Sequence, residues 1–237
     1  MDRYRYATIF VDNYSRLSYV HLKITLKSKD TLEAKLAFGA HINKHGVKIQ
    51  HYHAYNGRFS DNEFIQSVQK SGQTISYCAV NKHFQNGIAE KIIRDLKEHA
   101  RKYLLHGKSR WPDAVSLHLW PYALRDANEV MSIIPDKEDG SSKLERYTNV
   151  EVAPNLKNRH TLFDPIFVLH RRLANNRNYP KWEPRSILGI KFRDLTKSCP
   201  HVHLVLSFET GLVSPQFHVG VDDLFETTRP TTGNPIG

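Results

Sequence analysis

The chain has 237 residues, 40% hydrophobic and 11% aromatic, enough for one large domain with a packed core and a smaller companion. No apolar run approaches the roughly 20 residues needed to cross a bilayer, and the N-terminus Met1-Asp2-Arg3-Tyr4-Arg5-Tyr6 lacks the apolar stretch of a signal peptide, so no membrane role is expected. The 34 Lys and Arg outnumber the 24 Asp and Glu, and the net charge of +10 directs attention to polyanions, nucleic acid first among them.

Tyr6 to Val11 is apolar and β-rich, and Leu17 to Leu26 alternates as a second strand, with Asn13-Tyr14-Ser15-Arg16 as the turn between them. Leu32, Leu36 and Phe38 predict a helix over Lys29 to Asn43, capped by Ser28 or Asp30. Val47 to Tyr52 is a third strand. Asp61 to Ser71 reads as a helix packing through Phe64, Ile65 and Val68, and Thr74 to Val80 as a fourth strand. A long helix is predicted from Gly87 to about Leu105. Another runs from Trp111 to about Met131, with Pro112 in its first turn and a kink at Pro121.

The polar, breaker-rich run Pro135 to Ser142 marks a boundary, and residues 136–157 are expected to be a linker. Beyond them the texture changes to short β-like pieces: Phe167 to His170, Ser186 to Phe192, His201 to Phe208 and Val213 to His218. These predict a small C-terminal all-β, barrel-like domain over 158–226, followed by a Thr/Pro/Gly-rich tail over 227–237 expected to be disordered.

Cys78 and Cys199 are the two cysteines, and free thiols are expected of both. No CxxC is present, so a cysteine-based zinc site is not expected. The pairs His51/His53 and His201/His203 each point one way from a strand. Neither has an obvious cysteine or carboxylate partner, so packing or surface roles are expected.

The chemistry gathers in three places. Asp12 closes the strand Thr8-Ile9-Phe10-Val11-Asp12. Tyr55 lies in His53-Ala54-Tyr55-Asn56-Gly57, 35 residues before Glu90. Glu90 lies in Gln85-Asn86-Gly87-Ile88-Ala89-Glu90, a Gly-bearing turn that opens into the long helix. At 100° per residue, Glu90, Arg94, Lys97 and Arg101 fall within about 60° of one another, and Ile92, Leu96, Ala100 and Tyr103 lie opposite. A carboxylate followed by three cations suits a metal ligand beside a phosphate-gripping stripe. The alternative is a solvated face with a Glu90–Arg94 i, i+4 pair.

These segments resemble the integrase catalytic core of copia-type retrotransposons. The likeness rests on Thr8 to Arg16, Asn56-Gly57-Arg58-Phe59, His83 to Glu90 and Arg94-Asp95-Leu96, and covers residues 4–135. Gly211 to His218 matches the small barrel that follows such cores. The resemblance implies an α/β, ribonuclease-H-like fold: a mixed five-stranded sheet flanked by helices. It also implies a fragment of a Pol polyprotein, without the zinc-binding module that precedes such cores.

The implied activity is DNA integration by metal-dependent 3′-end processing and strand transfer in the nucleus, on element ends and target DNA, by a homo-oligomer. Two magnesium (or manganese) ions would be held by three acids and would clamp the attacking and leaving oxygens. Asp12 carries over as the first acid and Glu90 as the third, with Asn86, Gly87, Arg94, Lys97 and Arg101 as DNA contacts. The second acid is missing. Tyr55 stands there, and a neutral phenol is a poor ligand for a hard cation, so impaired catalysis is expected. Asp61 and Glu63 are candidate substitutes, though helix capping or solvent exposure is the plainer role for both. A non-catalytic DNA-binding or assembly module and a ribonuclease-H-type nuclease are the alternatives.

Trp111, Trp120 and Tyr122 are expected to fill a core rather than stack on bases. Lys108 and Arg110 either extend the basic surface or are plain loop residues. His170-Arg171-Arg172, Arg177, Lys181 and Arg185 form a second basic cluster, for which nucleic acid, complex assembly or a solvated loop are open readings.

Overall fold

Antiparallel pairing begins within the first 25 residues. β1 (Tyr6–Val11) runs against β2 (Ser18–Lys23), with Phe10 opposite Tyr19. This ladder belongs to a computed structural model that describes residues 4–79, 86–151, 159–174, 178–194 and 202–226. The chain divides into two compact units. One comprises Met1–Arg101 and Ala123–Pro154, the other Lys102–Tyr122 and Asn155–Gly237.

In the first unit, helix α1 (Ser28–Asn43) follows β2, and β3 (His51–Ala54), helix α2 (Asn62–Lys70) and β4 (Thr74–Tyr77) follow in turn. β3 and β4 pair in parallel, His51 opposite Thr74 and Ala54 opposite Tyr77. Their carboxyl ends therefore share one edge, and Tyr55 leaves β3 at that edge. Among the described residues the sheet pairing of this unit is four strands in two two-stranded ladders, one fewer strand than the five expected.

The core lies between these ladders and helices α1 and α2. Phe10, Ala34, Tyr52, Phe64 and Val68 are buried together, with Tyr19, Phe38, Ile49, Phe59 and Ile75 packed on them. The Phe10 and Phe38 rings stack at 4.5 Å.

Several local expectations shift. The third strand starts four residues and ends two residues later than expected, with Tyr52 and Ala54 pointing inward and His51 and His53 facing out. α1 buries Thr31, Ala34, Lys35 and Ile42 and leaves Leu36 exposed, so the buried stripe is not the one traced through Leu36. Buried Lys35 is satisfied by α2, where its ammonium donates to Ser67 O at 3.1 Å, Ser67 Oγ at 3.0 Å and Ser71 Oγ at 3.3 Å. Neither expected cap of α1 serves. Lys27 occupies the cap position, and Asp30 instead accepts Thr25 N at 3.0 Å and Thr25 Oγ1 at 2.5 Å.

α3 (Gly87–Arg110) runs five residues past its expected end, and the unit boundary falls within it, after Arg101. The next helix begins later than predicted. Residues 111–116 are turn and coil, and α4 spans Trp120–Ile133. Pro121 sits in the first turn of α4, where its missing N–H has no partner to lose, so no kink is required of it. The segment expected as linker carries α5 (Lys143–Thr148). A Ser142/Glu145 capping box opens it, and Asn149 closes it in the left-handed region at φ 51°. Arg146 ties it back to Asp136 at 2.9 Å and Asp139 at 3.1 Å.

The second unit is built on an antiparallel sheet. Its strands are β5 (Pro165–Leu169), β6 (Ser186–Asp194), β7 (His203–Ser207), β8 (Val213–Gln216) and β9 (Val219–Val221), in the order β8-β7-β6-β5-β9. The short helix α6 (Arg171–Ala174) follows β5. Phe163, Ile166, Ile190 and Phe192 fill the core, with Tyr122 against Phe192 at 5.0 Å. Trp111 donates from its indole N–H to Phe163 O at 2.9 Å and contacts the Phe208 ring at 5.3 Å. Trp111, Trp120 and Tyr122 are thus half-buried rather than enclosed in the core as expected. The tail 227–237, Cys199, Arg177, His201 and His83 to Gln85 lie outside the described residues.

Candidate functional site

The face of α3 foreseen from its periodicity lines one open cleft. Ile92, Leu96 and Ala100 are buried on one side. Glu90, Arg94, Lys97 and Arg101 are exposed on the other and, with Tyr55, Ile93 and Glu98, line a cleft of about 550 Å³. Tyr55 reaches it because β3 ends at Ala54, and Glu90 because it occupies the first turn of α3.

Tyr55 and Glu90 meet directly: the phenol donates to Glu90 Oε1. The Asn86 side chain hydrogen-bonds the same phenol. Burial, then the Glu90 hydrogen bond and charge, push the Tyr55 phenol up to about 12, while Asn86 opposes the shift. The group therefore stays neutral at physiological pH.

Because Glu90 turns to Tyr55, the i, i+4 pair with Arg94 does not form. Among the described residues no salt bridge reaches Arg94, Lys97 or Arg101. Three cations line the cleft with two carboxylates, Glu90 engaged by a phenol and Glu98, which leaves one positive charge in excess for phosphate oxygens.

Asp12 is held differently. Its Oδ2 accepts Tyr14 N at 3.2 Å, Ser15 N at 2.7 Å and Ser15 Oγ at 2.7 Å, which locks the carboxylate into the β1–β2 turn. It does not line the cleft. Its charge is felt at Tyr147 on α5, whose phenol burial, then Asp12, push up to about 12. Tyr147 was not foreseen, because it falls in the expected linker.

Asp61 does not reach the site as a substitute acid: its Oδ2 accepts the Ser28 hydroxyl at 2.5 Å, tying the start of α2 to the start of α1. Glu63 is exposed in the first turn of α2. Gly87 opens α3 without an obstructing neighbour, as a backbone approach to phosphate needs.

The outward histidines of β3 are hydrogen-bonded rather than idle. His51 Nδ1 is 2.7 Å from Thr74 Oγ1 and its Nε2 2.8 Å from Ser76 Oγ. His53 Nδ1 is also 2.8 Å from Ser76 Oγ, and its Nε2 lies 3.3 Å from the sulfur of Cys78, a buried free thiol. Cys78 is thus the partner for His53 that the sequence did not reveal.

The donor set does not fit a pair of divalent ions. Among the described residues no three His, Cys, Asp or Glu side chains converge. One oxygen of Glu90, Oε1, is engaged by the Tyr55 hydrogen bond. No described helix is long and apolar enough to cross a membrane.

No protein-family model matches the chain, and no curated protein matches it. Solved structures do resemble it. An intasome of simian T-cell lymphotropic virus in complex with a PP2A regulatory subunit matches at 15% identity and TM-score 0.51, covering 88% of this chain and 67% of that one. The HTLV-2 integrase catalytic core domain in complex with magnesium matches at 20% identity and TM-score 0.48, covering 60% and 83%. The BIV integrase catalytic core matches at 18% and 0.46, covering 60% and 84%. The likeness at 0.51 carries the fold: α/β, of the ribonuclease-H-like kind found in integrase cores, with a C-terminal antiparallel sheet of five strands. At 15% identity it carries nothing beyond the fold.

Proposed function

We propose that this chain is an integrase-type domain of a retroelement that binds DNA along α3 and is impaired in strand transfer. The pairing of Tyr55 with Glu90 carries this reading. It joins the residue after β3 to the first turn of α3 across 35 positions, as a second and third acid would be joined in such a core. It also leaves Arg94, Lys97 and Arg101 facing the cleft for phosphate. The motif resemblance to copia-type elements supports the finer assignment and the origin in a polyprotein. DNA ends and target DNA are the proposed partners, a homo-oligomer the proposed state and the nucleus the proposed place of action.

A phenol in the second position withholds one negative charge and holds the remaining carboxylate by a hydrogen bond. Both effects oppose uptake of a magnesium or manganese pair by Asp12 and Glu90. The test is strand transfer by the purified chain on labelled element-end DNA with magnesium or manganese. We expect no product from the native chain and product from Tyr55→Asp. Efficient transfer by the native chain would overturn the impairment.

A second reading, a DNA-binding or assembly module without catalysis, is favoured by Asp12 standing outside the lining of the cleft. It expects salt-sensitive DNA binding and no product even from Tyr55→Asp.

A further inference from the structure

The connection from β5 to β6 carries the most exposed large hydrophobic side chain among the described residues, Trp182, at 98%. So exposed, the indole leaves its ring open to a stacking partner.

The turn that presents it is held in place. Glu183 N donates to Pro180 O at 3.3 Å, closing Pro180 to Glu183 with Lys181 and Trp182 at its tip. The Tyr179 hydroxyl donates to Pro184 O at 2.7 Å, and the Tyr179 ring rests on His170 at 4.7 Å. His170 N in turn donates to Arg185 O at 2.9 Å, one residue beyond the last ladder pair, Leu169 opposite Ser186. Arg171, Arg172, Lys181 and Arg185 are all exposed here, against the single acid Glu183.

We propose that this turn is a contact for single-stranded nucleic acid, in which Trp182 stacks on an unpaired base and the four cations hold the flanking phosphates. Every unpaired base offers a π-face, and guanidinium groups add to the stack. A duplex buries those faces and leaves only its phosphates to be held. The excess of cations in the same connection favours this partner over an apolar protein surface. The proposal rests on the second unit alone and is independent of the Tyr55–Glu90 cleft.

The experiment titrates the full chain with a thymidine-only oligonucleotide, with a duplex of equal length and with heparin, following tryptophan fluorescence and affinity. The oligonucleotide is expected to quench emission, and heparin to bind without quenching. Trp182→Ala should abolish the quench and weaken single-strand binding at least about fivefold, with duplex affinity changed less than about twofold. Trp182→Phe, which keeps a stacking ring, should retain most of the single-strand affinity.

Equal losses for single strand and duplex, or the same quench with heparin, would reduce the surface to charge alone and overturn the stacking. No quench by any nucleic acid would overturn the proposal. Failure of Tyr55→Asp to support strand transfer would leave this quench untouched, so the two readings fail separately.

Discussion

The Tyr55 hydroxyl donates to the Glu90 carboxylate, and that one bond sets the electrostatics of the cleft. Glu90 would otherwise have Arg94, one turn along α3, as its natural counter-ion. With Glu90 turned to a neutral donor, Arg94, Lys97 and Arg101 line the cleft without a salt bridge among the described residues. Against Glu90 and Glu98 the three cations leave one positive charge in excess, and the phenol adds no further negative charge.

Removing those cations singly gives the first prediction. Arg94→Ala and Lys97→Ala should each weaken DNA binding similarly across sequences and reduce the slope of log affinity against log salt by about 1. Salt titration of duplex binding measures this. Unchanged slopes in both variants would assign the stripe to solvent.

Alkaline stability depends on five phenols of the first unit, Tyr19 and Tyr77, both raised chiefly by burial, among them. Burial is the largest cause in raising Tyr52, Tyr55 and Tyr147 to about 12 from 10.0. Below pH 10 both the folded and the unfolded chain keep these groups protonated, so their contribution is fully present. Between about 10 and 12 the unfolded chain ionises first, and stability falls as pH rises. Denaturant midpoints across that window should drop steeply, and Tyr55→Phe should drop less steeply than the native chain. An identical pH slope in Tyr55→Phe would show that Tyr55 is not raised.

The second unit has its own titration. Burial, with the Asp223 carboxylate adding to it, pushes Asp164 up to about 7 from 3.8, while the Thr161 N–H (at 2.6 Å) and Lys191 oppose the shift. Its contribution is fully present below about pH 4 and is lost as pH rises through about 7. Asp164→Asn keeps an acceptor for the Thr161 N–H and cannot ionise. We expect its melting temperature to exceed that of the native chain above pH 7, and the difference to vanish in acid.

Packing supplies a further pair of tests. Leu96 is fully buried on α3, so Leu96→Ala should cost about 2–5 kcal/mol in chemical denaturation. Gly189 lies in β6, where an added Cβ would meet Val205 Cγ1 at 2.6 Å and the Leu206 carbonyl oxygen at 2.7 Å. The backbone oxygen is fixed by the β6–β7 ladder. Gly189→Ala should therefore cost about 1–3 kcal/mol.

What the sequence determined by itself is the geometry carried by one element. Helix periodicity alone put Glu90, Arg94, Lys97 and Arg101 on one face and Ile92, Leu96 and Ala100 on the other. A run of apolar, β-rich residues located β1, alternation located β2, and the turn residues the bend at Asn13 to Arg16. These relations hold within a few residues of backbone, where fixed rise and rotation leave little choice. Tertiary structure decided the rest. It gave Asp61 to Ser28, Cys78 to His53 and the Tyr55 phenol to Glu90, made a helix of the expected linker, and kept Asp12 out of the lining of the cleft. Each of those outcomes depends on which of several competent partners packing brings within hydrogen-bond reach. Side chains of matching chemistry are common along a chain, whereas proximity between distant positions is fixed only when the core closes.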